Sequence, residues 1–238
     1  MTPRPLARTR RAALLLGAAG LGLAALVGCD PREAMYFLQP FTPKIAAPVP
    51  SMKGKKVVVL TYAAPGTLSD APTLDRDLTT RLVKALRENV KKIDVVAPDK
   101  VSAWAQAHPT TTDPAEAARA FEADVVIALE ITAFEIQNPS SPGLFEGKSS
   151  IHVKVTELAH PKDSRGRPMT DRPKESNVLY DEDCESNYPV TGSIPASADV
   201  TRSGFRNKFL GIVSGDLSRL FLDHEAGDDI QDTRFGQP

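Results

Sequence analysis

AFEADVVIALEITAFEI, residues 120 to 136, is the stretch that decides the fold. From Glu122 to Ile136 it reads as a buried strand, and its inward parity changes between Ile131 and Phe134, which predicts a β-bulge. Just upstream, Asp113-Pro114-Ala115-Glu116 places Asp at a cap, Pro at the first helical position and Glu two residues later. That is the start of a short helix, ending near Phe121. Just downstream, Pro139, Pro142, Gly143 and Gly147 mark a loop. Lys148 to Leu158 then alternates, with Ile151, Val153 and Val155 facing one way, so the two strands form a long antiparallel hairpin.

Further toward the N-terminus, Lys56-Val57-Val58-Val59-Leu60-Thr61-Tyr62 is a continuous, β-branched apolar run that fits a buried central strand. A helix follows whose Leu74, Leu78, Leu82 and Leu86, with Val83 and Val90 beside them, form one apolar stripe. Ile93 to Val96 is a short second strand, and Asp99 caps a short helix carrying Val101 and Trp104. Toward the C-terminus, His160 to Ser176 is a charged, Pro- and Arg-rich surface loop, and Asn177 to Cys184 is a weaker strand. A last helix carries Phe205, Phe209, Val213, Leu217 and Leu220 on one side. The class is α/β: a mixed β-sheet of about four to five strands with helices packed on it, in the order β-α-β-α-α-β-β-β-α. Residues 55–224 form this single domain, and 225–238 form a polar tail.

The chain opens MTPRPLARTRR, basic and without acids, and Ala12 to Gly28 holds only Ala, Leu, Gly and Val. This is the layout of a bacterial export signal, residues 1–28. The apolar run is slightly short for a membrane span, which takes about 20 residues. Thr9-Arg10-Arg11 also fits a twin-arginine signal, although the usual aromatic is missing. Leu26, Val27 and Gly28 before Cys29 resemble the lipobox of bacterial lipoproteins. The resemblance implies that the Cys29 thiol receives diacylglycerol, that the chain is cut before it, and that the new N-terminus is acylated. Several acyl chains anchor stably, at about 0.8 kcal/mol per buried methylene. Asp30 resembles an inner-membrane retention signal, but the choice of membrane stays open. Residues 29–54, with Pro31, Pro40, Pro43, Pro48 and Pro50, read as a tether reaching about 70 Å at most. Its apolar cluster Met35, Tyr36, Phe37, Leu38 and Phe41 is expected to dock on the domain.

Without residues 1–28 the chain keeps 25 basic and 30 acidic residues, a net charge of −5. That balance gives no electrostatic footprint for nucleic acid. Cys29 and Cys184 are the only cysteines, so lipidation of one excludes a disulfide framework. Cys184 is then a quiet free thiol or an intermolecular link, its pKa raised by the flanking Asp183 and Glu185.

Catalytic and metal patterns are missing. EGKSS, residues 146–150, resembles the end of a phosphate loop, but Pro142 stands where Gly is needed and a strand follows. His108, His152, His160 and His224 are too dispersed to organise a metal, and His152 is expected on the outer face of its strand. DEDCE, residues 181–185, puts Asp181, Asp183 and Glu185 on one face and Glu182 and Cys184 on the other. A solvated edge strand accounts for that run better than a calcium site. No catalytic residue, cofactor site or metal site is assigned.

Together, the lipobox, the Pro-rich tether, VVVL (57–60), LTTRLVKALREN (78–89), AFEADVVIALEITAFEI and SSIHVKVTEL (149–158) resemble the CsgG-like lipoproteins. The LpoB-like activator lipoproteins and the TolB N-terminal domain are similar in layout. The match spans residues 56–158 and the closing helix, with Ala123 and Asp124 at the family's "gaD" position. The family's later glycine is replaced near Ala128 and Leu129. The resemblance implies a non-enzymatic envelope domain working through protein contacts. The segments 137–150 and 160–185 are too polar and Pro-rich for the membrane hairpins of a pore.

The leading expectation is a membrane-anchored binding or assembly lipoprotein, held to lipid through acylated Cys29 and contacting an envelope protein. One alternative is a subunit of an export or secretion complex, which leaves homo-oligomerisation open. The other is a hydrolase of envelope polymers using carboxylates such as Glu130, Glu135 and Glu157. That chemistry needs two acids facing each other at about 5–10 Å.

Overall fold

The computed structural model describes residues 43–63, 66–67, 71–109, 113–137, 140–141, 143–161, 163–197 and 199–225. The elements are β1 (Lys44–Ile45), β2 (Lys56–Ala63), α1 (Leu74–Asn89), β3 (Asp94–Val95), α2 (Pro98–Ala107) and α3 (Pro114–Ala120). They continue with β4 (Val125–Gln137), β5 (Leu144–Ala159), β6 (Glu175–Tyr188), β7 (Ile194–Pro195), α4 (Arg202–Arg219) and β8 (His224–Glu225). The signal, the lipobox and Cys29, the cluster from Met35 to Phe41 and the tail beyond Glu225 lie outside the described residues.

The main sheet is mixed, as expected, in the order β3-β2-β4-β5-β6 with β7 pairing β5. β2 runs parallel to both β3 and β4, whereas β4–β5 and β5–β6 are antiparallel. The stretch 125–137 is thus the middle strand, paired along β2 on one side and β5 on the other. Its register shifts between Ile131 and Ala133, where the parity change placed a bulge. There the Thr132 hydroxyl donates to the Ser150 carbonyl at 2.9 Å.

One face of the sheet carries the main core. Val57, Val59, Ile127, Leu129, Ile131, Ile151, Val153 and Val155 pack with the stripe of α1, whose Leu74, Leu78, Leu82 and Leu86 are fully buried. Each such leucine contributes roughly 1.5–3 kcal/mol by leaving water. Helix α4 adds Phe205, Phe209, Val213 and Leu217. Its aromatic rings meet Phe134, Phe145 and Tyr188 at centroid distances of 5.2, 5.2 and 5.6 Å, in the range where ring pairs attract. Leu220 caps α4 and is only half-buried. On the opposite face α2 and α3 cover a smaller cluster around Val58, Leu60, Val126 and Leu158.

Helix starts follow their chemistry. The Asp113 carboxylate accepts from the Ala115 amide at 2.9 Å with Pro114 at the first position, and Thr201 caps α4 through the Gly204 amide at 3.1 Å. Asp99 does not cap α2. Pro98, with its preset φ, opens that helix after Ala97. Asp99 falls inside the first turn, where its charge suits the helix dipole, and it faces Arg76 at 3.3 Å.

Three segments differ from their sequence reading. Gly147 lies within β5, not in a loop. β6 runs to Tyr188, beyond Cys184, because Ser186 and Tyr188 still turn inward under α4. The last part of the expected tether belongs to the domain: Val49 and Met52 are buried, and β1 pairs with β8. Two apolar side chains among prolines were enough to dock it.

Candidate interaction surface

Strand parity and register build this surface. Even-numbered residues of β5 point away from the main core, as do odd-numbered residues of β6 from Asp181 on, and the antiparallel register sets His152 opposite Asp183 and Lys154 opposite Asp181. On its other side His152 faces Glu130 of β4, and Glu130 faces Tyr62 of β2. A row Tyr62–Glu130–His152–Asp183 therefore crosses four strands on the outer face. The apolar cluster under α2 and α3 ends at Leu60, Val126 and Leu158. Beyond it the face is polar, with Tyr62 38% exposed.

The imidazole of His152 is held at both nitrogens. Nδ1 lies 2.8 Å from Asp183 Oδ1 and Nε2 lies 2.9 Å from Asp181 Oδ1. The other oxygen of Asp181 accepts from Lys154 Nζ at 2.9 Å. A neutral imidazole can donate from only one nitrogen, so two carboxylate partners favour the cation. The Asp183 hydrogen bond and then the Asp181 charge push the His152 pKa upward against the opposing effect of desolvation. The Lys154 hydrogen bond, with the His152 charge, holds Asp181 below the usual carboxylate range. These groups lie side by side on an open sheet face and hold one another in place.

Other residues singled out in the sequence serve structure. EGKSS lies inside β5, where Lys148 pairs with Glu146 at 2.8 Å. Asp124 secures the start of β4. Burial opposes its ionisation, but the Lys56 amide at 3.0 Å and the Lys174 ammonium at 3.0 Å outweigh that and lower its pKa. The three glutamates do not form a facing acid pair. Glu157 is bound to Lys55 at 2.7 Å and opposes Val125, five positions from Glu130 along β4, about 17 Å of strand. His108 Nδ1 bonds the Trp104 carbonyl at 2.8 Å and His160 Nδ1 the Arg172 carbonyl at 2.7 Å.

Cys184 points inward, away from Asp183 and Glu185. Burial, and next the nearby Asp216 carboxylate, push its thiol up to about 11. The raised value matches the sequence expectation; the cause differs, because strand alternation sends the two sequence neighbours to the outer face. Asp216 itself binds Ser186 Oγ at 2.5 Å and Arg219 at 2.8 Å. Among the described residues no helix is long and apolar enough to cross a membrane.

No protein-family model matches the chain, and no curated protein does. Among solved structures it is similar to a PelC dodecamer from Paraburkholderia phytofirmans, with 12% identity and a TM-score of 0.40 over 75% of this chain and 96% of that one. It is similar to the hypothetical protein CT253 from Chlamydia trachomatis, with 16% identity and a TM-score of 0.34 over 56% and 70% of the two chains. Lipoprotein GNA1162 from Neisseria meningitidis gives 12% identity and a TM-score of 0.32 over 60% and 88%. At these scores the likenesses carry no argument about function.

Proposed function

We propose that this protein is a bacterial envelope lipoprotein, exported by residues 1–28 and anchored through acylated Cys29, whose α/β domain binds a protein partner and catalyses no reaction. The observation that carries the binding role is the row Tyr62–Glu130–His152–Asp183 on the part of the sheet that α2 and α3 leave uncovered. At the row's β5–β6 end His152 is fixed by ion pairs to Asp181 and Asp183, with Lys154 on Asp181. Charge held in place on a broad face favours orientation and selection of a charged partner surface. The anchor rests on the lipobox Leu26-Val27-Gly28-Cys29, and the resemblance to CsgG-like and LpoB-like lipoproteins agrees with it.

Two measurements test this. Cys29→Ala should yield an unprocessed or soluble chain; unchanged membrane fractionation and unchanged mass would remove the anchor. Crosslinking in intact cells should recover an envelope protein with the native chain and lose it with His152→Asp, which reverses the charge at the centre of the row. Equal recovery with a normally folded variant would remove the outer face as the binding surface.

A further inference from the structure

Strand β6 is the last strand of the sheet path, and among the described residues β5 is the one strand paired with it. From Asp181 to Tyr188 it follows Lys154 to Gly147 without a register shift, about 26 Å of regular strand. Along such an edge alternate residues direct their N–H and C=O groups away from the sheet, where they bond water or another strand.

Edges are commonly blunted by shortness, proline, bulges or charge, and β6 has the last of these, which bars a like-charged strand but not one of opposite charge. The other end of the sheet uses the first device, since β3 has two residues. β6 has 14 residues and no proline, and its register shift lies at Val155/Thr156, outside the regular stretch.

Charge selects what can add there. β6 carries Glu175, Asp181, Glu182, Asp183 and Glu185 with no Lys or Arg. His152 and Lys154 offset Asp181 and Asp183, and three glutamates remain in excess. A second β6 laid alongside would place acids against acids, which is unfavourable for directly opposed residues. The chain's own ends do not complement the edge. Residues 29–42 hold Asp30 and Glu33 against Arg32, and residues 226–238 hold Asp228, Asp229 and Asp232 against Arg234. The four arginines of residues 1–11 belong to the export signal.

We propose that the β6 edge takes, as an added strand, an extended basic segment of a partner protein with Lys or Arg at alternate positions. Backbone bonds to Asp181–Ser186 supply the docking. The alternate cations run along the outer face of β6, where Glu185 lies beside Asp181 and Asp183, the two that Lys154 and His152 offset. This rests on the protein-binding role above and names the chemistry of the partner.

The test uses the full-length chain in detergent and fluorescent peptides of about ten residues, enough to span the regular stretch. A Lys-Val alternating peptide should bind, and a Glu-Val peptide should not. N-methylating the alternate backbone amides that face β6 should weaken binding about tenfold or more, while methylating the intervening amides should not. Amide exchange within Asp181–Ser186 should slow with the first peptide. Glu185→Lys should weaken the Lys-Val peptide and spare the fold. Equal binding by both methylated peptides would show a purely ionic contact and overturn strand addition, as would no binding at all. Partner capture in cells that still depends on His152 would then leave the protein-binding role standing without the edge.

Discussion

The ring of Phe209 occupies the space in which a β-carbon on Gly147 would stand: an added Cβ would lie 2.6 Å from ring carbon Cδ2. Phe209 has little room to retreat, because it is fully buried with Phe134 at 5.2 Å and Phe205 at 6.4 Å between centroids. Glycine is what lets α4 approach the sheet here. Gly147→Ala should cost about 1–3 kcal/mol by overpacking. Gly143→Ala, whose Cβ meets nothing within 4 Å, should stay within about 0.5 kcal/mol. Urea denaturation of both variants checks this, and equal midpoints would mean the ring yields freely.

That glycine also marks a limit of reading the sequence. With Pro139, Pro142 and Gly143 close by, Gly147 looked like part of a loop; a residue that makes room for a helix 62 positions away leaves no local sign. The apolar runs of β2 and β4, the leucine stripe of α1 and the Asp113-Pro114 start were legible because burial and capping write themselves at fixed spacings. The bulge was legible as a parity change. The faces of β6 were legible too, but the pairing of His152 with Asp181 and Asp183 was not. The long segment between β5 and β6 leaves their register free, and one step of slip would have turned the acids to the other face.

The central stripe gives a plain test. Leu82 is fully buried on α1. Leu82→Ala should cost about 2–5 kcal/mol, and Leu82→Asp should unfold the domain by burying an unpaired charge. Normal circular dichroism and melting of the Asp variant would mean that this face of α1 is not in the core.

The His152 cluster predicts a pH window. The His152 pKa is raised above its ordinary 6.5, so its stabilising contribution is complete below 6.5 and is lost as pH rises through the higher native value. Asp181 is lowered from 3.8, so its contribution is present above 3.8 and is lost as pH falls through the lower native value. The cluster should therefore be fully formed between about pH 4 and 6.5. NMR titration of the imidazole should give a midpoint above 6.5 that falls in Asp183→Asn. A native midpoint at or below 6.5 would contradict the geometry.

Cys184 should behave as an inert thiol. With its pKa pushed up to about 11 by burial and then by Asp216, little thiolate is present at pH 8. Thiol-reactive dyes should label the native chain slowly and the urea-unfolded chain at the rate of a free cysteine. Rapid native labelling would mean that the strand opens beneath α4.

Lys44 pairs with Glu225 and Ile45 with His224, while the Ala47 amide donates to Asp223 and the Val49 amide to the Leu220 carbonyl, both at 3.0 Å. The described fold thus ends beside where it begins, and the domain is topologically a loop with a seam. A short linker across that seam, with new termini opened at the exposed Arg165–Gly166 turn, would give a circular permutant that keeps every pairing of the main sheet. The same seam sets where an added module would emerge: anything fused directly after Glu225 starts alongside β1, the strand with which the described fold begins.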